Sequence, residues 1–534
     1  MGKKVIFLIL SVLFLATVFF LYFRPRFFGS SLSPISPLAP SLVIKADPGW
    51  PAPVLEAIKK ANPSVKLGSY SNKEGVKIVL SSQPTSLEWV LVPVAPFPTL
   101  KDEVSWSEIK AFWQKGEDIL PPLFCSPEVK SFLSLVLGAP HPKARLEVVP
   151  AEQIVDRAWE KRPSWAIIPF DQLEPRWKVW HLDGVNVLEK GLIQKQYPLR
   201  FYFSFVGEGA ERLTLPHFTN RDEEKMTVLI MTGVTALVRA TAVRMEEKGV
   251  LYPAEKIAPL LQSADITHIS NEIPFAQNCP PPRMNQEELV FCSDPRYIRL
   301  LEKVGTDVVE LTGNHFEDYG PEATRQTVAM YDQRGWLHYG GGRDLSDSLQ
   351  PARIERNGNS FAFLGCNSFG PAYAWAKEGY PGAAPCRRDY FYQLLNRFQK
   401  EVDVPIFTWQ YEESYQYEPL EKQKEDFRAM VDAGAKIVSG SQSHQPQAIE
   451  FYRDGFIHYG LGNLFFDQMW SLGTRQECVD RHVIYEGRHI ATELLTFMLE
   501  DYAQPRPMTK EERQRLLQSL FLASGWQIGS NPIF

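Results

Sequence analysis

Six apolar segments in the C-terminal half of the chain are each followed at once by polar residues. Helix-like segments lie between them, so the order strand, loop, helix repeats from Met226 to about Asp501. This alternation predicts an α/β fold. In open α/β sheets, ligand sites form at the carboxyl ends of the strands, so the polar residues after these strands are expected to converge on one rim.

The side chains expected at this rim carry carboxylate, amide and imidazole groups, which suit a divalent metal such as Mn, Fe or Zn. A two-metal phosphoesterase uses such a rim to activate water and to stabilise a leaving oxygen. Each short motif alone also fits an ordinary turn, and the ordered set of six is what favours a site. His444 is the strongest single candidate, because the segment SQSHQPQ follows a buried strand. The candidates at the rim are Glu272, Asn314, His315, His444, Asn463 and Asp467.

Taken in order, the motifs ADITHISNEIPF, ELTGNHFEDYG and FIHYGLGNLFFDQ resemble those of the CapA family, the poly-γ-glutamate capsule biosynthesis proteins of the calcineurin-like metallophosphatase superfamily. The resemblance covers nearly all of residues 226–467. It implies a four-layer αββα sandwich with a site at one end of its two sheets. It also implies a role in making, exporting or attaching a surface polymer.

Three positions depart from the family pattern. Val234 stands where the family has a metal-bridging Asp, and Thr408 and Gln442 stand where it has His. None of the three is a good ligand for a transition metal, so a full two-metal centre is not expected. The site is predicted to hold either one weakly bound Mn, Fe or Zn ion or no metal. The residues left to hold one ion are Glu272, Asn314, His315 and His444.

Two functions follow from the resemblance. In the first, the protein is catalytic and carries out metal-assisted hydrolysis of a phosphoester or transfer at a polymer end. His444 or His315 would then assist proton movement, and Arg239 would steady the anion. In the second, it is a non-catalytic binding or scaffold protein for an anionic ligand or polymer, and a pair between Glu272 and Arg239 would be structural. The residues predicted to contact substrate are Asn463, Trp409 and Gln442.

The cysteines indicate an oxidising compartment. Four of the six bracket two short loops, a pattern typical of disulfide-closed insertions. The alternative is a set of unrelated buried thiols. Cys125 and Cys478 have no evident partner. The predicted pairs are Cys279 with Cys292 and Cys366 with Cys386.

The N-terminus predicts a membrane anchor. An uncharged run from Val5 to Phe23, closed by Arg24 and Arg26, is long enough to span a bilayer. It is longer than the apolar region of a cleaved signal peptide, which is the alternative. Only four residues precede the run, so the simplest topology exports the rest of the chain. The expected location is the cell membrane, with a single span and the bulk of the chain extracytoplasmic.

Residues 43–220 are predicted to form a smaller α/β domain, because strand-like runs such as Trp89–Val94 alternate with helical patterns. The segment SWAIIPFDQLEPRWKVWHLDGVNVL resembles part of the periplasmic phosphate- and substrate-binding proteins. Helix starts rich in glycine, Ser and Thr, which would hold a phosphate, are not evident. The domain is therefore either a ligand-binding module or a structural one.

The chain is thus divided into a transmembrane signal anchor at 1–26, a Ser/Pro-rich linker at 27–42, the first domain at 43–220, the CapA-like domain at 226–501 and a tail with a final helix at 502–534. The net charge of −6, from 57 Lys and Arg against 63 Asp and Glu, argues against nucleic acid as a partner. The expected partners are a cell-surface polymer or its precursor, the membrane and other capsule-assembly proteins. The overall negative field means that a polyanion would have to be handled at a local site.

Overall fold

The computed structural model describes residues 43–69, 75–192 and 196–527. The predicted anchor at 1–26 and the linker at 27–42 lie outside these ranges. Within the ranges, no helix is long and apolar enough to cross a bilayer. Membrane anchoring stays a prediction from the sequence.

The first domain alternates strands and helices, as predicted. Its described strands are β1 (Val43–Ala46), β2 (Lys66–Ser69), β3 (Val76–Ser81), β4 (Glu88–Pro96), β5 (Glu103–Val104), β6 (Leu123–Cys125), β7 (Leu146–Val148), β8 (Trp165–Pro169), β9 (Trp177–Val179), β10 (His181–Leu182) and β11 (Arg200–Val206). Its described α-helices are α1 (Ala52–Ala61), α2 (Trp106–Lys110), α3 (Pro127–Leu137) and α4 (Ile154–Glu160).

One mixed sheet organises this domain. Its strand order is β2-β1-β3-β11-β4-β8-β6-β7, with β9 paired to β4, while β5 and β10 form a small separate ribbon. All nine residues of β4 are buried, as expected for an apolar central strand covered on both faces. Helix α3 begins where the Ser126 side chain accepts a hydrogen bond from the Val129 N–H, with Pro127 at the first helical position.

The second domain contains more, and longer, elements. Its described strands are β12 (Met226–Thr235), β13 (Ile266–Asn271), β14 (Val308–Glu310), β15 (Leu337–Tyr339), β16 (Gly341–Gly342), β17 (Ala352–Arg356), β18 (Asn359–Asn367), β19 (Gly382–Ala383), β20 (Val404–Ser414), β21 (Ile437–Ser443), β22 (Ile449–Tyr452), β23 (Gly455–His458), β24 (Asn463–Phe465), β25 (Gln476–Tyr485), β26 (Arg488–Glu500) and β27 (Gln504–Pro507). Its described α-helices are α5 (Arg239–Lys248), α6 (Ala258–Leu261), α7 (Ile298–Lys303), α8 (Gly320–Asp332), α9 (Leu345–Ser348), α10 (Arg388–Phe398), α11 (Glu421–Asp432), α12 (Leu472–Arg475) and α13 (Lys510–Ala523).

Two sheets face each other in this domain. The first has the order β15-β14-β13-β12-β25-β26-β27, with β24 paired to β12, and the second has the order β17-β18-β20-β21-β23-β22. An apolar core that includes Met231, Phe363 and Ile406 fills the space between them. Helices α5 to α8 cover the outer face of the first sheet, and α10 and α11 cover that of the second. The predicted α/β fold is confirmed, and its layers run helix, sheet, sheet, helix.

The C-terminal segment is part of this domain and not an appendage. Strand β27 extends the first sheet by pairing with β26. Leu517 and Phe521 of α13 join the core between the sheets. The Arg513 guanidinium also donates to the Asp102 carboxylate of the first domain, at 3.1 Å from Nη2 to Oδ1. The helix predicted for the tail therefore contacts both domains.

Glu477 on β25 is a buried carboxyl group whose two oxygens have no hydrogen-bond partner among the described residues. Burial raises the pKa of its carboxyl well above the usual value. Replacing Glu477 by methionine, which has a similar volume, is expected to raise the free energy of unfolding at pH 7 by about 1–2 kcal/mol. Urea denaturation of the variant and the wild type measures this difference.

The pH dependence and a matched variant test the cause. The pKa of this carboxyl is higher in the folded protein than in the unfolded chain, where it is near 4.5. The wild type therefore loses stability as the pH rises above about 4.5, and the stability gained by Glu477→Met should shrink towards pH 4. Glu493 on the neighbouring strand is half-buried, and it accepts a hydrogen bond from Arg481. Glu493→Met should therefore destabilise. Equal effects of the two substitutions would contradict the explanation.

Candidate functional site

The carboxyl ends of the parallel strands meet at one end of the two sheets, and the predicted site residues lie there. Glu272 follows β13 directly, and Gly313 packs so closely on it that a Cβ atom at Gly313 would lie 2.6 Å from the Glu272 Cα. His315 belongs to the same loop as Gly313, after β14. His444 follows β21 directly, and Asn463 begins β24, which pairs with β12. The fold thus brings residues from distant segments to one rim.

Glu272, His315 and Asp318 form a series of acid, imidazole and acid, with side-chain exposures of 4%, 17% and 0%. His315 Nδ1 lies 2.6 Å from Asp318 Oδ2, and because an ionised carboxylate only accepts, Nδ1 carries the proton. The other ring nitrogen, Nε2, lies 3.9 Å from Glu272 Oε1. Glu272 Oε2 has no hydrogen-bond partner in the described part of the chain. Asp318 therefore orients the imidazole, which faces a second carboxyl group.

Burial and neighbouring charges shift the protonation of this series. Burial raises the pKa of Glu272 to about 7, although the charge of His315 opposes the rise. For His315, burial lowers the pKa, but the hydrogen bond to Asp318 and the charge of Glu272 outweigh burial, so the pKa is raised. Glu272 therefore gains and loses its proton near neutral pH, as a general acid or base requires.

The two predicted disulfides are both present. They join Cys279 to Cys292 and Cys366 to Cys386, and the described residues also include two free cysteines, Cys125 and Cys478, both buried. Each disulfide closes the loop that its cysteines bracket. Two closed loops in one domain are typical of proteins of an oxidising compartment.

Both closed loops contact Asp318. The backbone N–H of Phe291, from the loop 279–292, donates to Asp318 Oδ2 at 2.8 Å. The hydroxyl of Tyr373, from the loop 366–386, lies 3.4 Å from Asp318 Oδ1. The Phe291 ring also lies 4.6 Å from the His315 ring. The loops therefore hold the carboxylate that orients His315.

His444 is buried and neutral. Its Nδ1 lies 2.9 Å from Asn463 Oδ1, and because an amide oxygen accepts, Nδ1 carries the proton and Nε2 keeps its lone pair. Burial lowers the pKa of His444 to about 4, with the hydrogen bond to Asn463 opposing it. At neutral pH His444 is therefore a hydrogen-bond acceptor and not a cation.

Arg239 forms an ion pair with one acid, although its buried Nε has no hydrogen-bond partner among the described residues. Its backbone has φ 45°, a left-handed conformation that costs energy for a residue with a side chain. Its Nη2 donates to Asp467 Oδ1 at 2.5 Å. The guanidinium also lies 5.2 Å from the Phe291 ring and 5.0 Å from the Phe466 ring. The ion pair that forms is with Asp467, and not the pair with Glu272 that the sequence suggested.

Neutral amides fill the region where the family resemblance expects metal ligands. Gln410 Nε2 donates to Asn314 Oδ1 at 3.1 Å and also to Gln442 Oε1. Gln410 Oε1 in turn accepts from the Ser441 hydroxyl. Gln442 has φ 75°, a left-handed backbone conformation that costs energy for a residue with a side chain. These hydrogen bonds use the amide oxygens that a metal would need.

The other two altered positions, Val234 and Thr408, also contact protein neighbours. Val234 belongs to an apolar cluster with Ile273 and Phe291. The Thr408 hydroxyl donates to the Tyr339 hydroxyl at 3.0 Å. Over residues 43–69, 75–192 and 196–527, no three His, Cys, Asp or Glu side chains form a group that could hold a metal ion. The residues present therefore do not fit a two-metal centre.

Comparison with known proteins identifies the family of this domain. Residues 228–468 match the family model described as bacterial capsule synthesis protein PGA_cap. This part of the chain belongs to the PGA_cap family. A relative, the PGA biosynthesis protein CapA of Bacillus subtilis, is 25% identical over 245 residues, which is 45% of this chain and 64% of the relative. The match thus spans less than two thirds of that relative.

Two solved structures show a weak similarity to parts of this chain. The 5′-nucleotidase precursor of Thermus thermophilus has a TM-score of 0.33 and 12% identity, covering 56% of this chain and 58% of that one. An ABC-type phosphate transport receptor of Vibrio cholerae has a TM-score of 0.25 and 9% identity, covering 31% of this chain and 86% of that one.

The predicted substrate contacts of the PGA_cap domain lie deeper than expected. Trp409 is fully buried, because its ring stacks on Phe427 at 5.6 Å and its Nε1 donates to the Ser368 hydroxyl. It belongs to the core and cannot contact a substrate at the surface. Gln442 and Asn463 are also buried, and both are hydrogen-bonded to other residues of the site.

Several residues of the PGA_cap site escaped the site prediction. Asp318 lies in a recognised motif, but its contact with His315 depends on the tertiary structure. Gln410 was not among the predicted site residues, and only its hydrogen bonds to Asn314 and Gln442 reveal its role. Tyr373 lies in a loop that the cysteine pairs had marked, and that was the one available signal.

Proposed function

We propose that this protein acts outside the cytoplasm in making, exporting or attaching a capsule-type surface polymer, and that segment 1–26 holds it to the membrane. The PGA_cap match supports the process. The two disulfides support an oxidising, extracytoplasmic location. Other capsule-assembly proteins are its expected partners.

We further propose that the site works without a two-metal centre. The observation that carries this proposal is the hydrogen bonding of Gln410 to Asn314 and Gln442, which occupies the ligand positions with neutral amides. What remains is the series of Glu272, His315 and Asp318, which can bind a polar group and move a proton without a metal. The purified full-length protein is expected to contain less than one equivalent of Mn, Fe or Zn.

The alternative is a non-catalytic binding or scaffold protein. The burial of His444 as a neutral acceptor favours it, because a pKa of about 4 makes His444 a weak base. The two functions differ in what they require of Glu272. A scaffold needs its shape, whereas a proton-transfer site needs its carboxyl group.

Glu272→Gln separates these functions. In a strain that lacks the chromosomal gene, wild-type protein should restore the surface polymer, while Glu272→Gln should lower its amount at least tenfold, because the amide cannot exchange a proton near pH 7. Quantifying cell-bound polymer measures the effect. Glu246→Gln is the matched control, since Glu246 lies on α5, away from the series, and accepts hydrogen bonds from Arg296 and Tyr297.

Two results would count against these proposals. Full polymer production by Glu272→Gln would favour the scaffold. Two tightly bound metal equivalents per chain would refute the metal-independent site. Thermal denaturation of each variant checks that the fold is intact.

A further inference from the structure

Four aromatic rings run in series from the buried site to the surface. The Phe466 and His444 rings lie 5.5 Å apart, His444 and Tyr415 lie 5.8 Å apart, and Tyr415 and Trp470 lie 6.1 Å apart. Phe466 and His444 are buried, whereas Tyr415 is 43% exposed and Trp470 is 61% exposed. The series therefore links the candidate site to an open aromatic surface.

A third exposed ring reaches the same site from another loop. Tyr373 is 55% exposed, and its hydroxyl lies 3.4 Å from the Asp318 carboxylate. Large aromatic side chains are normally buried, since they contribute much of the stability of a core. Exposed rings grouped around a polar site mark a surface that a ligand covers.

The exposed rings of Tyr373, Tyr415 and Trp470 form the mouth of the site, and the charges there disfavour an anionic ligand. The Glu413 carboxylate accepts a hydrogen bond from the Tyr415 hydroxyl, and its charge acts on both Glu272 and His444. The two cations that act on Glu272 are already paired, Arg239 with Asp467 and His315 with Asp318. Glu272 and Glu413 therefore leave the mouth rich in hydrogen-bond acceptors and negative in balance.

From these contacts we infer that Tyr415 and Trp470 bind a sugar ring without negative charge, as part of the polymer or its precursor. The C–H face of such a ring is apolar and slightly positive, so it packs on the negative face of an aromatic ring. Its hydroxyl groups donate to carboxylates such as Glu413. The inference rests on the proposed function, and it selects a saccharide over a polyanion such as poly-γ-glutamate as the ligand of this mouth.

The test is binding of the full-length protein to an array of neutral, amino and acidic bacterial oligosaccharides, with a γ-linked glutamate oligomer alongside. Titration calorimetry then follows the ligands found. At least one neutral or amino oligosaccharide should bind, and Trp470→Ala and Tyr415→Ala should each weaken it at least tenfold. Trp470→Phe should retain most of the affinity. Tyr390→Ala, at an exposed tyrosine on α10, should change nothing.

Two outcomes would overturn the inference. One is that Trp470→Ala weakens the binding of no neutral or amino oligosaccharide, which includes the case where none binds. The other is that the glutamate oligomer binds more tightly and depends on Trp470. Neither outcome bears on the proposed role in the surface polymer, which fails if the wild-type gene does not restore that polymer to the deletion strain.

Discussion

Replacing Asp467 by alanine is expected to lower the free energy of unfolding by about 3–5 kcal/mol, because it leaves the charge of Arg239 buried without its partner. Both side chains are largely buried, at 13% and 6% exposure, and the Asp467 carboxylate also accepts from the Ala240 N–H at 2.9 Å. Urea denaturation followed by circular dichroism measures the loss.

A double variant distinguishes the ion pair from simple packing. Asp467→Leu combined with Arg239→Met removes both charges and keeps apolar volume, so it should be markedly more stable than Asp467→Ala alone. The single variants Asp467→Leu and Arg239→Met complete the comparison. If the double variant loses as much free energy of unfolding as these two lose in sum, the ion pair contributes nothing of its own. The fold around Arg239 would then owe its stability to the flanking rings.

Replacing His268 by phenylalanine is expected to remove about 2 kcal/mol of the destabilisation that the wild type suffers between pH 8 and pH 5. His268 is buried between the two sheets, and burial lowers its pKa to about 3. Below about pH 6.5 the unfolded chain takes up a proton at this position and the folded chain does not, so stability falls with the pH until about pH 3.

The contacts of His268 affect the stability of the variant at every pH, so they must be separated from the effect of protonation. Its ring stacks on Phe363 at 6.0 Å, so a phenyl ring fits the position, and its Nε2 lies 2.8 Å from the Tyr339 hydroxyl. Wild type and variant are compared by urea denaturation at each pH. Their difference at pH 8 reports packing and the lost hydrogen bond, and the change in that difference towards pH 5 reports the imidazole. Parallel pH curves would contradict the expectation.

Other buried groups set the overall pH dependence of the wild type. Burial also lowers the pKa values of His482, which is buried, and His489, which is half-buried, and both act in the same direction as His268. Glu310 and Glu477 have raised pKa values and act in the opposite direction. The comparison of single variants is therefore more informative than the wild-type curve alone.

The sequence predicted the features that depend on local pattern. Alternating strands and helices led to the α/β fold, and cysteines bracketing two short loops led to both disulfides. The ordered strand-end motifs led to the family and to the rim where Glu272, His315 and His444 lie. These features could be predicted because hydrophobic periodicity, turn residues and cysteine spacing depend on the local order of residues in the chain.

The tertiary structure alone decided how the site residues are partnered. Trp409 follows the same strand pattern as a site residue, yet contact with Phe427 places it in the core. Arg239 could have paired with either of two acids, and the return of the chain after β24 supplies Asp467. Gln410 reaches Gln442 only because strands β20 and β21 lie side by side.

The sequence by itself thus determined the α/β fold, the family of the second domain and the two disulfides. The three-dimensional arrangement determined which charges are paired, which rings are buried and which remain open at the mouth. The reason is physical. Element type and covalent closure depend on residues that are near in sequence. Burial, protonation and hydrogen bonding depend on residues that are far apart in sequence, such as Arg239 and Asp467, and that meet only in the folded chain.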